Sequence, residues 1–147
     1  MKRSTIRDYQ QNRCYSWEGI NVAPHDRTPV PFEQIQSVID YVWKMEGLKF
    51  PPIIDELNGN DKACARGCRT KLLFHRNKPT PTWVLLHEAS HSMSSTYDNL
   101  TNLHNSIFMG IYLQLLSRYL KLDFGQLYRS AEAYGLKVKL EARPVFL

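Results

Sequence analysis

The chain has no apolar run approaching the roughly 18 residues that a membrane-spanning helix needs. Its opening, MKRSTIRDYQQNR, lacks the apolar stretch of a secretory leader. Three cysteines in 147 residues cannot build a disulfide framework. Internal repeats, low-complexity tracts and long linkers are missing too, which excludes solenoid architectures and a chain split into separate units. Together these absences predict one domain over residues 1–147, with no membrane partner, a cytoplasmic location and reduced thiols.

What is present suffices for one core: 43% of the residues are hydrophobic and 12% aromatic. Nineteen basic against 14 acidic residues give a net charge of +5. Such an excess attracts acidic partners, but the charges are scattered, so a nucleic-acid partner is the less favoured alternative. Oligomeric state is not legible.

A polar segment over 1–30, with turn signals at Ala23-Pro24-His25-Asp26, precedes the first periodic stretch. Ile35, Val38, Ile39, Val42 and Trp43 recur at helical spacing and predict a helix from Pro31 to Glu46, closed by Gly47. Pro51-Pro52 breaks the chain before a strand over Ile53–Leu57, and Arg69–His75 reads as a second strand. Helices follow over Thr82–Ser94, His104–Leu120 and Phe124–Tyr134, the last stopped by Gly135. Leu136–Leu140 alternates weakly and is a candidate final strand. The expected fold class is α+β, with helices dominant over a small sheet.

Chemistry concentrates in His87-Glu88-Ala89-Ser90-His91. Histidines four apart on a helix present their rings on one face, about one turn apart. They can share one zinc ion, and Glu88 then lies beside the metal as a base for a water held there. The apolar lead-in Trp83-Val84-Leu85-Leu86 places the run in the body of the domain, where three polar side chains are costly without a ligand.

A catalytic zinc ordinarily has three protein ligands and one open position. The extended HExxHxxGxxH pattern fails, because Ser94 and Tyr97 stand at its glycine and third histidine. His104 is the preferred third ligand: it opens the third helix and heads a stripe of Phe108, Ile111, Leu115 and Tyr119. A helix N-terminus also disfavours imidazolium and keeps the ring able to ligate. Asp98 and Glu132 are the alternatives. For oxyanion stabilisation Tyr112 is preferred over Tyr97 and Arg118. Cys64 and Cys68 are expected to be plain thiols; a structural metal or redox role would need Cys14 and His75 to come close.

HEASH followed by His104-Asn105-Ser106-Ile107-Phe108 and an apolar helix resembles a group of small HExxH metallopeptidases of bacteria and their phages, broadly similar to SprT-like zincins. The resemblance covers roughly residues 66–120, with weaker similarity in Tyr15-Ser16-Trp17-Glu18 and in the fourth helix. It implies a compact zincin-like domain, His87, His91 and His104 as ligands of Zn2+, Glu88 as general base, and a protein or peptide substrate. It also implies that the strand before the active helix is a sheet edge that pairs with substrate, which points to Lys71–Phe74; an ordinary core strand is the alternative. Two other functions compete: a DNA-associated SprT-like protease, and a non-catalytic zincin-fold binding or inhibitory protein in phage–host conflict. The intact Glu88 argues against the second, since a binding scaffold needs no base.

Overall fold

The computed structural model describes residues 8–63, 65–95 and 103–146. Their architecture is mixed α+β, as the sequence predicts. The helices are α1 (Gln11–Asn21), α2 (Phe32–Met45), α3 (Thr82–Ser94), α4 (Ser106–Leu120) and α5 (Phe124–Ala133). The strands are β1 (Pro29–Val30), β2 (Ile53–Glu56), β3 (Ala65–Gly67), β4 (Lys71–Phe74) and β5 (Thr80–Pro81). None of the described helices is long and apolar enough to cross a membrane.

The two central helices differ from the rest in having almost no solvent face. Every residue of α3 from Val84 to Ser94 is buried, and α4 buries Phe108 to Leu113 together with Leu115 and Leu116. A helix with almost no solvent face belongs in the interior, and these two pack on each other there. Asn105 caps α4, its Oδ1 accepting the Phe108 N–H at 2.9 Å. The start of α3 is capped from a distance: Asp26, in the segment after α1, accepts the Trp83 N–H at 2.6 Å.

The stop signals act as expected. Gly47 and Gly135 adopt positive φ values of 73° and 75° just past α2 and α5. Leu48 N–H then bonds Trp43 C=O and Leu136 N–H bonds Ala131 C=O, which closes each helix with a Schellman motif. Leu48 and Leu136, the residues after the glycines, are both buried.

Three strands form a sheet in the order β2-β4-β3, with β2 parallel and β3 antiparallel to β4. This corrects one expectation. β4 (Lys71–Phe74) is the central strand, not an edge, because the chain before it folds back as β3 through a tight turn and covers that side. β3 has no strand on its outer side among the described residues. Two further expectations change. The N-terminal segment is not merely polar lead-in, since Gln11–Asn21 is helical. The stretch 136–140 forms no strand; it is held as an irregular tail by Lys139 N–H on Ser106 C=O at 2.9 Å. The tail runs so close to α4 that a Cβ at Gly110 would sit 1.9 Å from the Lys139 carbonyl oxygen, so only glycine fits there.

Candidate metal centre

Helix α3 delivers His87 and His91 on one face, and the residue two before α4 delivers His104 to the same point. His104 Nε2 lies 3.1 Å from His87 Nε2 and 3.2 Å from His91 Nε2. All three rings are buried. Phe108, one turn into α4, packs against each of them with ring centroids 5.1, 4.5 and 4.9 Å away and leaves them little rotational freedom. His104 is thus where the sequence places it, though it precedes α4 and does not open it.

Carboxylates hold the far sides of two rings. His87 Nδ1–H donates to Glu18 Oε2 at 2.5 Å, and His104 Nδ1–H donates to Asp8 Oδ2 at 2.7 Å. Tyr112 O–H donates to the same Glu18 oxygen at 2.6 Å. With the protons on Nδ1, the Nε2 atoms of the neutral rings present bare lone pairs to each other. Lone pairs facing at about this distance repel unless a positive charge sits between them. Tetrahedral zinc with Zn–N of roughly 2.0–2.1 Å would place its nitrogens roughly 3.3–3.4 Å apart, close to the two separations measured from His104. A histidine whose other ring nitrogen is tied to a carboxylate is also the usual arrangement of a metal ligand.

Electrostatics point the same way. Burial works against a charged His87, but its bond to Glu18 and the nearby Glu88 outweigh this and raise its pKa above the ordinary 6.5. Burial, and then the neighbouring His87, lower the pKa of His104 despite Asp8. The pocket therefore favours positive charge at the His87–His104 junction but not a proton on each ring. Burial raises the Glu88 carboxyl above its usual range, with Glu18 adding to the effect and His87 and Arg66 opposing it.

Cys14, His87 and His104 also form a buried group whose ligand atoms lie within 4.8 Å of one another, a set that could hold a metal ion. Without a metal, burial, followed by Glu18 and Asp8, drives the pKa of the thiol far up, and it would have to lose its proton to ligate. Cys14 sits within the hydrophobic core beside Trp17, and the carboxylates that favour the histidines oppose it.

Glu88 lies on the wall of a cleft of about 510 Å³ that is lined by the three histidines, Tyr15, Asp8 and strand β3. The carboxylate rests against β3 at Gly67, where a Cβ would come within 2.9 Å of Glu88 Oε1 and 3.0 Å of Glu88 C=O. Arg66, the next β3 residue, is paired with Asp61 at 2.5 Å.

Other site expectations fare differently. Tyr112 lies behind His87, fully buried, with its hydroxyl on Glu18. That geometry removes it from substrate contact and makes it a positioning residue. Arg118 is away from the cleft, paired with Glu46 beside Tyr119. Glu132 is exposed on α5 and is no ligand. Asp98, Tyr97 and Cys64 lie outside the described residues. Cys68 is a half-buried free thiol on the cleft, and His75 Nε2 meets the Ala63 carbonyl at 2.9 Å.

Asp8 and Glu18 are the functional residues that sequence reasoning misses. The signal for Glu18 was its spacing: with Cys14 and Trp17 at i, i+3 and i+4 of a short helix, a glutamate falls on the buried face. Tyr15, whose half-exposed ring meets His104 edge-on at 5.2 Å, was likewise passed over.

Comparison with known proteins yields no relationship: no family model, no curated protein and no solved structure matches the chain.

Proposed function

We propose that the chain is a zinc-dependent hydrolase of zincin type that cuts protein or peptide substrates, with His87, His91 and His104 as metal ligands and Glu88 as general base. The observation that carries this reading is the meeting of three imidazole Nε2 atoms at His104, two of them backed by carboxylates, beside a glutamate on an open cleft. A zinc ion held by such a set supplies a Lewis acid that makes water nucleophilic near neutral pH.

The chain's own groups supply the rest. Glu88 takes a proton from the attacking water and returns it to the departing amine. Its raised pKa suits both halves of that exchange. The Tyr15 hydroxyl already accepts the Gln11 side-chain N–H at 3.3 Å, so its own proton is free to point toward charge developing on the carbonyl oxygen. The outer side of β3, which carries no strand among the described residues, is the edge for an extended peptide to join by strand addition, the role expected of β4.

Replacing Glu88 with Gln tests the assignment. Peptide cleavage is expected to fall by about 10²–10⁴-fold while one zinc per chain is retained. Cleavage that persists in the zinc-loaded variant would remove Glu88 as the base. A wild-type protein that binds zinc and cuts no peptide would overturn the hydrolase reading.

A further inference from the structure

A cavity of about 570 Å³ meets the cleft at the tight turn that joins β3 to β4. The turn divides its residues between the two spaces. Cys68 and Lys71 line the cleft, whereas Arg69 and Thr70 line the cavity. The rest of the cavity wall is Trp43 near the end of α2, residues 47–51, Ile53 at the start of β2, and Phe146.

Large apolar side chains stand uncovered on this wall. Phe50 is 89% exposed and Ile53 63%. Phe50 also holds a φ of 58°, in the left-handed region that favours glycine. Burial within the chain gives this ring nothing to offset the backbone strain, and strain of this kind clusters at ligand-binding segments. The charges on the wall have one sign. Lys49 and Arg69 line the cavity, and no acidic residue does so among the described residues. Lys49 makes no ion pair among the described residues. The Arg69 guanidinium lies 4.3 Å from the centre of the Phe146 ring, a stacking that fixes its orientation. Glu46, the acid just before Gly47, is bonded to Arg118 and Tyr119 and does not line the cavity.

We propose that this cavity docks a segment of a partner protein in which one aromatic or long aliphatic side chain is flanked by carboxylates. The apolar side chain is buried against Trp43, Ile53 and Phe50, and its acidic neighbours meet Lys49 and Arg69. A concave wall suits an inserted side chain better than a bilayer surface, which takes a protruding apolar face. The hydrolase reading makes the partner the substrate, and the proposal rests on it for that point alone. Strand β2 lies two strands from β3, roughly 10 Å away at about 4.8 Å per strand. About three extended residues therefore separate the cavity from the outer edge of β3. The docked segment lies away from the bond being cut and adds affinity without touching the metal centre.

Fluorescence anisotropy with zinc-loaded Glu88→Gln tests the docking itself. The probes are fluorescein-labelled peptides carrying Glu-Phe-Glu, Glu-Ala-Glu or Lys-Phe-Lys between Gly-Ser repeats. The Glu-Phe-Glu peptide is expected to bind about tenfold or more tighter than either of the others. Phe50→Gly removes the ring and relaxes the backbone, so it should abolish that preference without lowering Tm. Lys49→Glu should weaken binding of the Glu-Phe-Glu peptide about tenfold. Wild-type protein is then given one cleavable peptide with or without a Glu-Phe-Glu tail about six residues from the cut. The tail should lower KM about tenfold; Phe50→Gly should cancel this and leave kcat/KM for the untailed peptide within about twofold.

Selective, Phe50-dependent binding without cleavage by the wild type supports the docking site and overturns the hydrolase. Cleavage with equal binding of the three peptides, or with a Glu-Phe-Glu preference intact in Phe50→Gly, overturns the docking site and spares the hydrolase. Selective binding and cleavage with no tail effect overturns the assignment of the docked segment to the substrate. Phe50-dependent sedimentation with vesicles of equal parts phosphatidylcholine and phosphatidylserine, in place of peptide selectivity, gives the face to a membrane and overturns the proposal. Absence of both cleavage and selective binding overturns the two readings together.

Discussion

The two walls of the cleft are built on opposite plans. On the helical side, each fixed group is held by a second group: His87 by Glu18, Glu18 by Tyr112, His104 by Asp8, and all three rings by Phe108. On the sheet side, β3 is three residues long, has a partner strand on one flank only among the described residues, and touches Glu88 through a glycine. The first wall fixes the orientation of the rings, as metal ligation demands. The second carries no further strand on its outer side among the described residues, as strand addition by a peptide demands. A wall that grips and a wall that receives need different local chemistry, and the same difference decides which residues can be changed without harm to the other side.

Breaking the helical wall should have the larger effect. Glu18→Gln and Asp8→Asn, which keep volume and lose charge, are each expected to weaken zinc binding about 10- to 100-fold, measured by competition with a chromophoric chelator. Chelator competition that is indifferent to both substitutions would mean the carboxylates only fill space. On the sheet wall, Gly67→Val should cost about tenfold or more in cleavage by pushing Glu88 aside, yet leave zinc affinity within about twofold. If zinc affinity fell with activity, the walls would not be independent.

The smallest effect is a pH dependence that sharpens the contrast between metal-free and metal-bound protein. In the metal-free form the pKa of His87 is raised, so its contribution to stability is complete below the unfolded value near 6.5 and is lost as pH rises through the folded value. Glu88, raised from 4.5, has the same sign and begins to act at lower pH. His104, lowered from 6.5, has the opposite sign and acts only below that value. Above pH 6.5 the metal-free Tm should therefore decline, while zinc, which replaces the His87 proton, removes the decline. A parallel decline in both forms, by calorimetry, would show that the proton and the metal do not share a site.

The same contrast explains what was legible in the sequence. Helices α2 to α5 follow apolar periodicity and glycine stops, because they exist to bury side chains. The histidines of α3 carry their chemistry in their spacing, and His104 follows from the stripe it heads. Helix α1 does not announce itself. Its buried face joins Cys14 and Trp17 to Glu18, and Gln10 just before it is buried as well, so polar residues stand where a pattern reader expects apolar ones. They stand there because buried groups need partners, Glu18 accepting from His87 and Tyr112 and Gln10 donating to the His104 carbonyl, which is where sequence patterns ordinarily fail. Strand β3 is hidden by its length of three residues and by the glycine it contains. Its pairing with β4 comes from long-range register that no local signal encodes. Tyr112 was correctly placed near the site and wrongly aimed, since helical spacing gives a face but not the hydrogen-bond partner waiting behind it.

The central claim is that three histidine nitrogens, and no sulfur, hold the metal. X-ray absorption at the zinc edge of the protein loaded with one equivalent tests this directly. The account predicts imidazole scattering from three histidines with a first shell at roughly 2.0–2.1 Å, and loss of stoichiometric zinc in His104→Ala but not in Cys14→Ala. A sulfur shell at roughly 2.3 Å that disappears in Cys14→Ala would contradict it.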